Sequence, residues 1–257
     1  MAESILDIRS LRRSFGGLHA VRDVSFQVPY GAIKAVIGPN GAGKTTLFNL
    51  ITGYLTLQAG RISFRGEEIQ GKPPHRIAAA GIARTFQLVQ LFEHMTVLEN
   101  VMVGRHRLSR AGLLAGVCRL PRTRREEEAI REKAWEDLKF VGLADRAHQP
   151  ALALPLGLKR LLEIARALAA EPALLLLDEP ASGLDSAETE RLQEMILAIR
   201  ERGISILLVE HDMSLTMEVA DDIAVLNYGS LIAEGPPRAI QKNAEVIAAY
   251  LGTDWQA

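Results

Sequence analysis

The chain has 257 residues, 48% hydrophobic and 24% charged, with a formal net charge of −1. That is an ordinary globular profile, long enough for one large or two small domains around a sizeable core. The near-zero charge supplies no basic field, so nucleic acid is not expected as a partner. A single cysteine, Cys118, excludes an internal disulfide and a cysteine-based metal site and suits a reducing compartment. Met1–Ser10 is polar and lacks the apolar core of a signal peptide. No apolar run reaches the eighteen or so residues needed to cross a bilayer, so any work at a membrane is expected from a peripheral subunit.

In chain order, residues 5–37 alternate short apolar runs with turns (Ile5–Ile8, Ala20–Val28, Ile33–Ile37), a strand-rich opening. The third run leads into Gly38-Pro39-Asn40-Gly41-Ala42-Gly43-Lys44-Thr45-Thr46, which fits the phosphate-loop pattern G-x-x-x-x-G-K-[ST]. Glycines at these places let successive backbone N–H groups turn inward around phosphates, and the helix expected from Leu47 onward points its positive end at them. Lys44 is placed to reach the β- and γ-phosphates and the Thr45 hydroxyl to ligate Mg²⁺. The chain is therefore expected to bind a nucleoside triphosphate. Phe15 is predicted in a loop between early strands, where its ring could stack on adenine.

A strand-like patch follows at Arg61–Phe64. From about Val97 to Leu154 the pattern turns helical, with a basic run at Arg119–Arg125, an acidic one at Glu126–Glu128 and helical spacing over Ile130–Val141. This charge switch reads as a solvated helix face. Beyond Lys159 helices and strands alternate (Leu161–Ala170, Leu174–Leu177, Ala187–Arg200, Ile204–Val209), which argues a parallel sheet covered by helices. Gly235–Pro237 makes a turn, and a short helix ends near Tyr250-Leu251. The helical middle is thus an insertion into one α/β core.

The second half of a nucleotide site is Leu174–Leu177 followed by Asp178-Glu179-Pro180. Four apolar residues form a buried strand whose C-terminal end, where parallel sheets bind ligands, delivers two carboxylates. Asp178 is expected to hold Mg²⁺, as a Walker B aspartate does, and Glu179 to act as general base toward the attacking water. Gln87 leads into the helical region and offers a neutral amide to the metal or the water. His211, after the strand Ile206–Val209 and Glu210, is expected to touch the γ-phosphate and hold the water and Glu179 in place.

Over essentially its whole length the chain resembles the nucleotide-binding subunits of ABC transporters, and more narrowly the ATPase subunits of branched-chain amino-acid importers. The stretches that carry the resemblance are Arg12–Ala20, Gly81–Gln87, Leu91–Asn100, Leu162–Arg166, Glu210–Met213 and Ala249–Gly252. The resemblance implies a single ABC domain over residues 1–257. Its phosphate-loop ATPase core, a parallel sheet with N-terminal antiparallel strands, spans about 1–95 and 155–240; a helical subdomain occupies about 96–154 and a helical tail 241–257. It also makes Gln87 the Q-loop glutamine, Ser182–Asp185 the D-loop, with Asp185 at the nucleotide, and His211 the switch histidine. It implies ATP and Mg²⁺ as cofactors and a head-to-tail pair of ATPase subunits on two multi-span permeases fed by a solute-binding protein. The place of work is then the cytoplasmic face of the plasma membrane. An exporter subunit, for instance for lipopolysaccharide, and a soluble non-transport ATPase are the alternatives.

The sequence departs from this family at the signature loop. Where Leu-Ser-Gly-Gly-Gln is usual, it has Leu154-Pro155-Leu156-Gly157-Leu158. Pro155 lacks both a hydroxyl and an N–H, while Gly157 can still offer its N–H to the nucleotide held by the partner subunit. The expectation is a partner of different sequence and two unequal composite sites.

Overall fold

The computed structural model describes residues 3–106 and 121–251. Cys118 and Gly252, and the start of the basic run at Arg119, lie outside these residues. By contact the chain divides into two compact units: Met1–Arg84 with Ala173–Ser182 and Thr189–Ala257, and Thr85–Pro172 with Gly183–Glu188. The second unit is wider than 96–154 because the helix after the signature loop packs with the helices of the middle region.

In the first unit, β1 (Ser4–Phe15), β2 (Leu18–Pro29), β4 (Ala59–Phe64) and β5 (Glu67–Glu68) form an antiparallel sheet of order β2-β1-β4-β5. The opening strands are longer than the apolar runs suggest, because register shifts between β1 and β2 let polar residues ride within them. Phe15 consequently ends β1 instead of lying in a loop, and the turn is only Gly16-Gly17.

The second sheet joins β3 (Ile33–Ile37), β6 (Ile82–Arg84), β7 (Leu174–Asp178), β8 (Ser205–Val209), β9 (Asp222–Asn227) and β10 (Ser230–Gly235) in the order β10-β9-β3-β8-β7-β6. All its neighbours are parallel except β9 and β10. Every residue of β3, β7 and β8 is buried, as expected of central strands covered on both faces. Lys34 is the polar exception on β3. Its ammonium is buried between Asp222 of β9 and Glu234 of β10, tying three strands together.

Helix α1 (Lys44–Ile51) lies in the core between the two sheets, with Leu47, Phe48 and Ile51 packed among Leu6, Ile8, Val36 and Val209. Its neighbour α2 (Pro74–Ala80) precedes β6. The remaining helices are α6 (Ser186–Glu201), whose first residues belong to the other unit, α7 (Met213–Val219), α8 (Pro237–Ile240), which contacts β9 and β10, and α9 (Ala244–Leu251), which contacts β10.

The second unit contains α3 (Val97–Arg105), α4 (Pro121–Phe140) and α5 (Leu156–Leu168). Thr96 starts α3 with a capping box: its hydroxyl accepts the Glu99 N–H while Glu99 accepts the Thr96 N–H. Helices α3 and α5 approach closely at Gly104, where a Cβ would meet the Arg166 carbonyl oxygen at 2.1 Å. On α4, Ala134 and Leu138 are buried and Lys133 pairs with Glu136 at the surface, while Arg125, Glu127 and Glu128 of the charge switch are exposed, the solvated face expected of them.

Candidate functional site

The site in the first unit is set by strand register. Val209 of β8 pairs with Val36 of β3 on one side and Asp178 of β7 on the other. The three C-terminal ends therefore stop level, and the residues that follow them are the phosphate loop, Glu179 and the pair Glu210–His211. This is the edge at which parallel sheets bind ligands.

The loop from Gly38 to Gly43 is shaped by glycine. Gly41 and Gly43 have φ of 80° and 103°, the left-handed region that favours glycine. A Cβ on Gly43 would stand 2.2 Å from the Ala20 carbonyl oxygen, so the loop lies against β2 with no room for a side chain. Lys44, 6% exposed, opens α1 and turns its ammonium back to donate to the carbonyls of Gly38 at 2.6 Å and Pro39 at 3.1 Å. Burial pushes its pKa below 10.5, while Glu179, Asp178 and Glu210 pull it back up. The glycine-shaped loop and the Lys44 ammonium at the start of α1 offer a phosphate both backbone N–H groups and a positive charge, and the carboxylates that act on Lys44 leave room for a cation beside it. Thr45 and Thr46 follow in the first turn of α1, with Thr45 exposed.

Asp178 ends β7 and is buried. Its Oδ2 accepts from Arg84 Nη2 at 2.7 Å, and the Arg84 guanidinium also donates to Asn49 Oδ1 on α1 at 2.7 Å and lies over the Phe48 ring. Sequence reasoning missed Arg84, since its partner stands 94 positions away; an arginine at the end of a strand leading to Gln87 was the only signal.

Glu179 has φ of 46°, uncommon for a residue with a side chain, and its N–H is held by the Val209 carbonyl at 2.8 Å. The turn after it is fixed by Glu210, fully buried, whose carboxylate accepts from Ala181 N–H at 2.8 Å and from the N–H groups of His211 and Asp212. Burial drives the Glu210 pKa up from 4.5, against the pull of those N–H groups. His211 Nδ1 lies 3.7 Å from Glu179 Oε2 and equally from Glu210 Oε2. Asp212 then starts α7, accepting from Ser214 and Leu215 N–H.

The structure thus gathers the phosphate loop, Lys44, Thr45, Asp178, Glu179 and His211 at one edge of the first unit. Phe15 is half-exposed at the end of β1, with Arg13 stacked on its ring at 4.8 Å. Gln87, Pro155, Gly157 and Asp185 belong to the second unit. Gln87 is exposed. Pro155 is the N-cap of α5, without any side-chain cap, and the Leu156 next to it is exposed. A Cβ on Gly157 would meet the Glu188 carboxylate at 2.4 Å. Asp185 and Glu188 cap α6 reciprocally: Asp185 Oδ1 accepts Glu188 N–H and Glu188 Oε2 accepts Asp185 N–H.

A phosphate loop and an acidic strand end on a parallel sheet, with an antiparallel sheet at the N-terminus and a helical unit inserted, define a phosphate-loop ATPase of the cassette type. The model of the family described as ABC transporter matches residues 21–182, and that described as branched-chain amino acid ATP-binding cassette transporter matches residues 230–255. The high-affinity branched-chain amino acid transport ATP-binding protein BraF of Pseudomonas aeruginosa is 45% identical over 98% of this chain and 99% of its own length. The corresponding LivG of Escherichia coli is 42% identical over the same shares. Among solved structures, the ADP conformation of an ATP-binding cassette of an ABC transporter superposes with a TM-score of 0.86 at 32% identity, over 98% of this chain and all of the other. A nucleotide-free cassette gives 0.85 at 32% identity over 97% of this chain and all of the other. The chain belongs to the ATP-binding subunits of ABC transporters, nucleotide-binding ATPases coupled to transport.

Proposed function

We propose that this chain hydrolyses ATP to ADP and phosphate to drive uptake of a branched-chain amino acid or a related small solute. The observation that carries the chemistry is the level stop of β3, β7 and β8, which sets Lys44, Asp178, Glu179 and His211 around one phosphate cradle. The similarity to BraF and LivG over nearly the whole chain supports the solute class.

In this reading the N–H groups of Asn40–Thr46 bind the β- and γ-phosphates, Lys44 leaves the Gly38 and Pro39 carbonyls to reach them, and Phe15 stacks on adenine. Glu179 orients and deprotonates the attacking water, and His211 holds that water and the γ-phosphate. The donors at the strand ends suit Mg²⁺, since the Thr45 hydroxyl and the Asp178 carboxylate are hard oxygen ligands and the remaining positions fall to phosphate and water. By the family resemblance, Gln87 would contribute its amide oxygen to the same ion. Mg²⁺ held by these residues would supply positive charge to offset that of the phosphoryl group. Arg84 keeps the Asp178 carboxylate turned in place throughout.

The chain works as a peripheral subunit at the cytoplasmic face of the membrane, head-to-tail with a second ATPase subunit of different sequence, on two multi-span permeases served by a solute-binding protein. Among the described residues no helix is long and apolar enough to cross a membrane. The site built on this chain's phosphate loop borrows its signature from the partner. The one that borrows Pro155, Gly157 and Asp185 from this chain is the weaker. Mild detergent extraction of the complex from native membranes tests the reading. Two multi-span proteins and a second, different ATPase should co-purify; recovery with ribosomes, nucleic acid or nothing would overturn it.

A further inference from the structure

Within the second unit, the loop that carries Gln87 is gripped by two buried charges on α5. Arg160 is 6% exposed and Glu163 is 1% exposed. Arg160 donates from Nη1 to the Phe86 carbonyl at 3.0 Å and from Nη2 to the Gln87 carbonyl at 2.7 Å. Glu163 Oε1 accepts the Phe86 N–H at 3.2 Å. The two side chains face each other at 3.9 Å, and Arg166, stacked over Phe92, approaches Glu163 from the other side at 3.7 Å. Residues 160, 163 and 166 fall on one face of the helix by their spacing of three. Burial pushes the Glu163 carboxyl up from 4.5, opposed by the Phe86 N–H and the two arginines.

Buried charges are expensive, and a loop can be anchored by neutral groups. Here both hold the Phe86 backbone, and Arg160 also holds the carbonyl of Gln87, whose own side chain is exposed. A guanidinium is the one side chain that can span two successive carbonyls with fixed geometry. The helix that supplies it begins at Pro155, so the same rigid rod carries the signature loop at its start and the grip on Gln87 one turn later.

We propose that Arg160 and Glu163 are positioning residues that clamp Phe86 and Gln87 to α5, so that the Gln87 amide and the signature end of α5 are presented as one piece. The proposal rests on the reading of Gln87 as a contact of the metal. Three single variants, each in the assembled transporter, separate the two: Gln87→Ala, Arg160→Lys, which keeps the charge but cannot bridge both carbonyls, and Glu163→Gln. Hydrogen exchange reads the clamp without activity, and the Mg²⁺ concentration for half-maximal turnover reads Gln87. For Arg160→Lys, amides of the segment 86–90 should exchange about tenfold faster or more, the scale of one charge-assisted hydrogen bond. Its Mg²⁺ requirement should rise by about tenfold, as in Gln87→Ala, while ATP affinity without metal stays at the wild-type value. The double variant Arg160→Lys with Gln87→Ala should be no worse than Gln87→Ala alone.

If Gln87→Ala raises the Mg²⁺ requirement and Arg160→Lys does not, the clamp is refuted. An additive double variant refutes it as well. If Gln87→Ala itself leaves the requirement unchanged, the reading of Gln87 falls and the clamp's purpose with it, whatever the exchange shows. Should Arg160→Lys fail to fold, Glu163→Gln carries the same expectations.

Discussion

At the strand ends of the first unit charge is buried and held, whereas the start of α5 in the second unit is apolar and has no side-chain cap. Asp178 is locked by Arg84, Glu210 accepts three backbone N–H groups, and Glu179 sits in a left-handed turn anchored on Val209. The α5 terminus has Pro155 as its N-cap with no side-chain partner and exposes Leu156. The difference separates two ways of holding a phosphate: fixed side chains with their own supports, or backbone N–H groups and a helix dipole alone. In the first unit the charged side chains are held by one another and by backbone, whereas the α5 terminus of the second offers backbone alone.

The contrast is broken most severely at Arg84. Arg84→Met removes the guanidinium paired with the buried Asp178 carboxylate, and removing one member of a buried pair costs about 3–5 kcal/mol. A chemical-denaturation midpoint should fall accordingly, with ATP binding lost in step. Next comes the loop itself. Gly43→Ala forces a Cβ toward the Ala20 carbonyl at a φ of 103°. Strain of this kind costs on the order of 1–3 kcal/mol, and calorimetry should show ATP affinity reduced by about tenfold or more.

The α5 end responds in the opposite direction. Pro155→Ser provides the missing cap and should stabilise the protein by about 1 kcal/mol, a rise of roughly 2–4 °C in melting temperature for a chain of this size. Combined with Leu158→Gln in the assembled transporter it should raise ATP turnover; unchanged turnover and affinity would end the idea of unequal sites. The smallest effect is one of slope. Glu210 has its folded pKa raised by burial, so the native state holds the proton more tightly than the unfolded chain. The stability this contributes is present below about 4.5 and lost as pH rises through the higher folded value. Relative to Glu210→Gln, the wild type should therefore be favoured more in mild acid than at neutral pH, as differential scanning calorimetry across that range would register.

Much of this site was legible in the residues because the signals were local. The phosphate loop is contiguous, and Leu174–Asp178 announces a buried strand by an unbroken apolar run that ends in acids. Glu210 and His211 follow an equally apolar strand. Local signals also misled, since β1 and β2 absorb polar residues through register shifts and carry Phe15 at a strand end. Arg84 escaped notice because β6 has three residues and its ion pair is remote in sequence. The Asp185–Glu188 box was readable as an acid three residues before a Glu, but the D-loop resemblance drew attention to nucleotide instead. Helix α5 begins at Leu156, before the periodic run from Leu161, because a proline N-cap gives no polar start signal.

The central claim is that Glu179, its N–H held by the Val209 carbonyl and its carboxylate beside His211, is the base at the strand ends. The direct test is single-turnover ATP hydrolysis by Glu179→Gln in the assembled complex, with binding measured alongside. The account predicts ATP affinity close to wild type and hydrolysis slowed by about 100-fold or more, the scale expected for loss of a general base. Hydrolysis within a few-fold of wild type would remove Glu179 from that role and contradict the account.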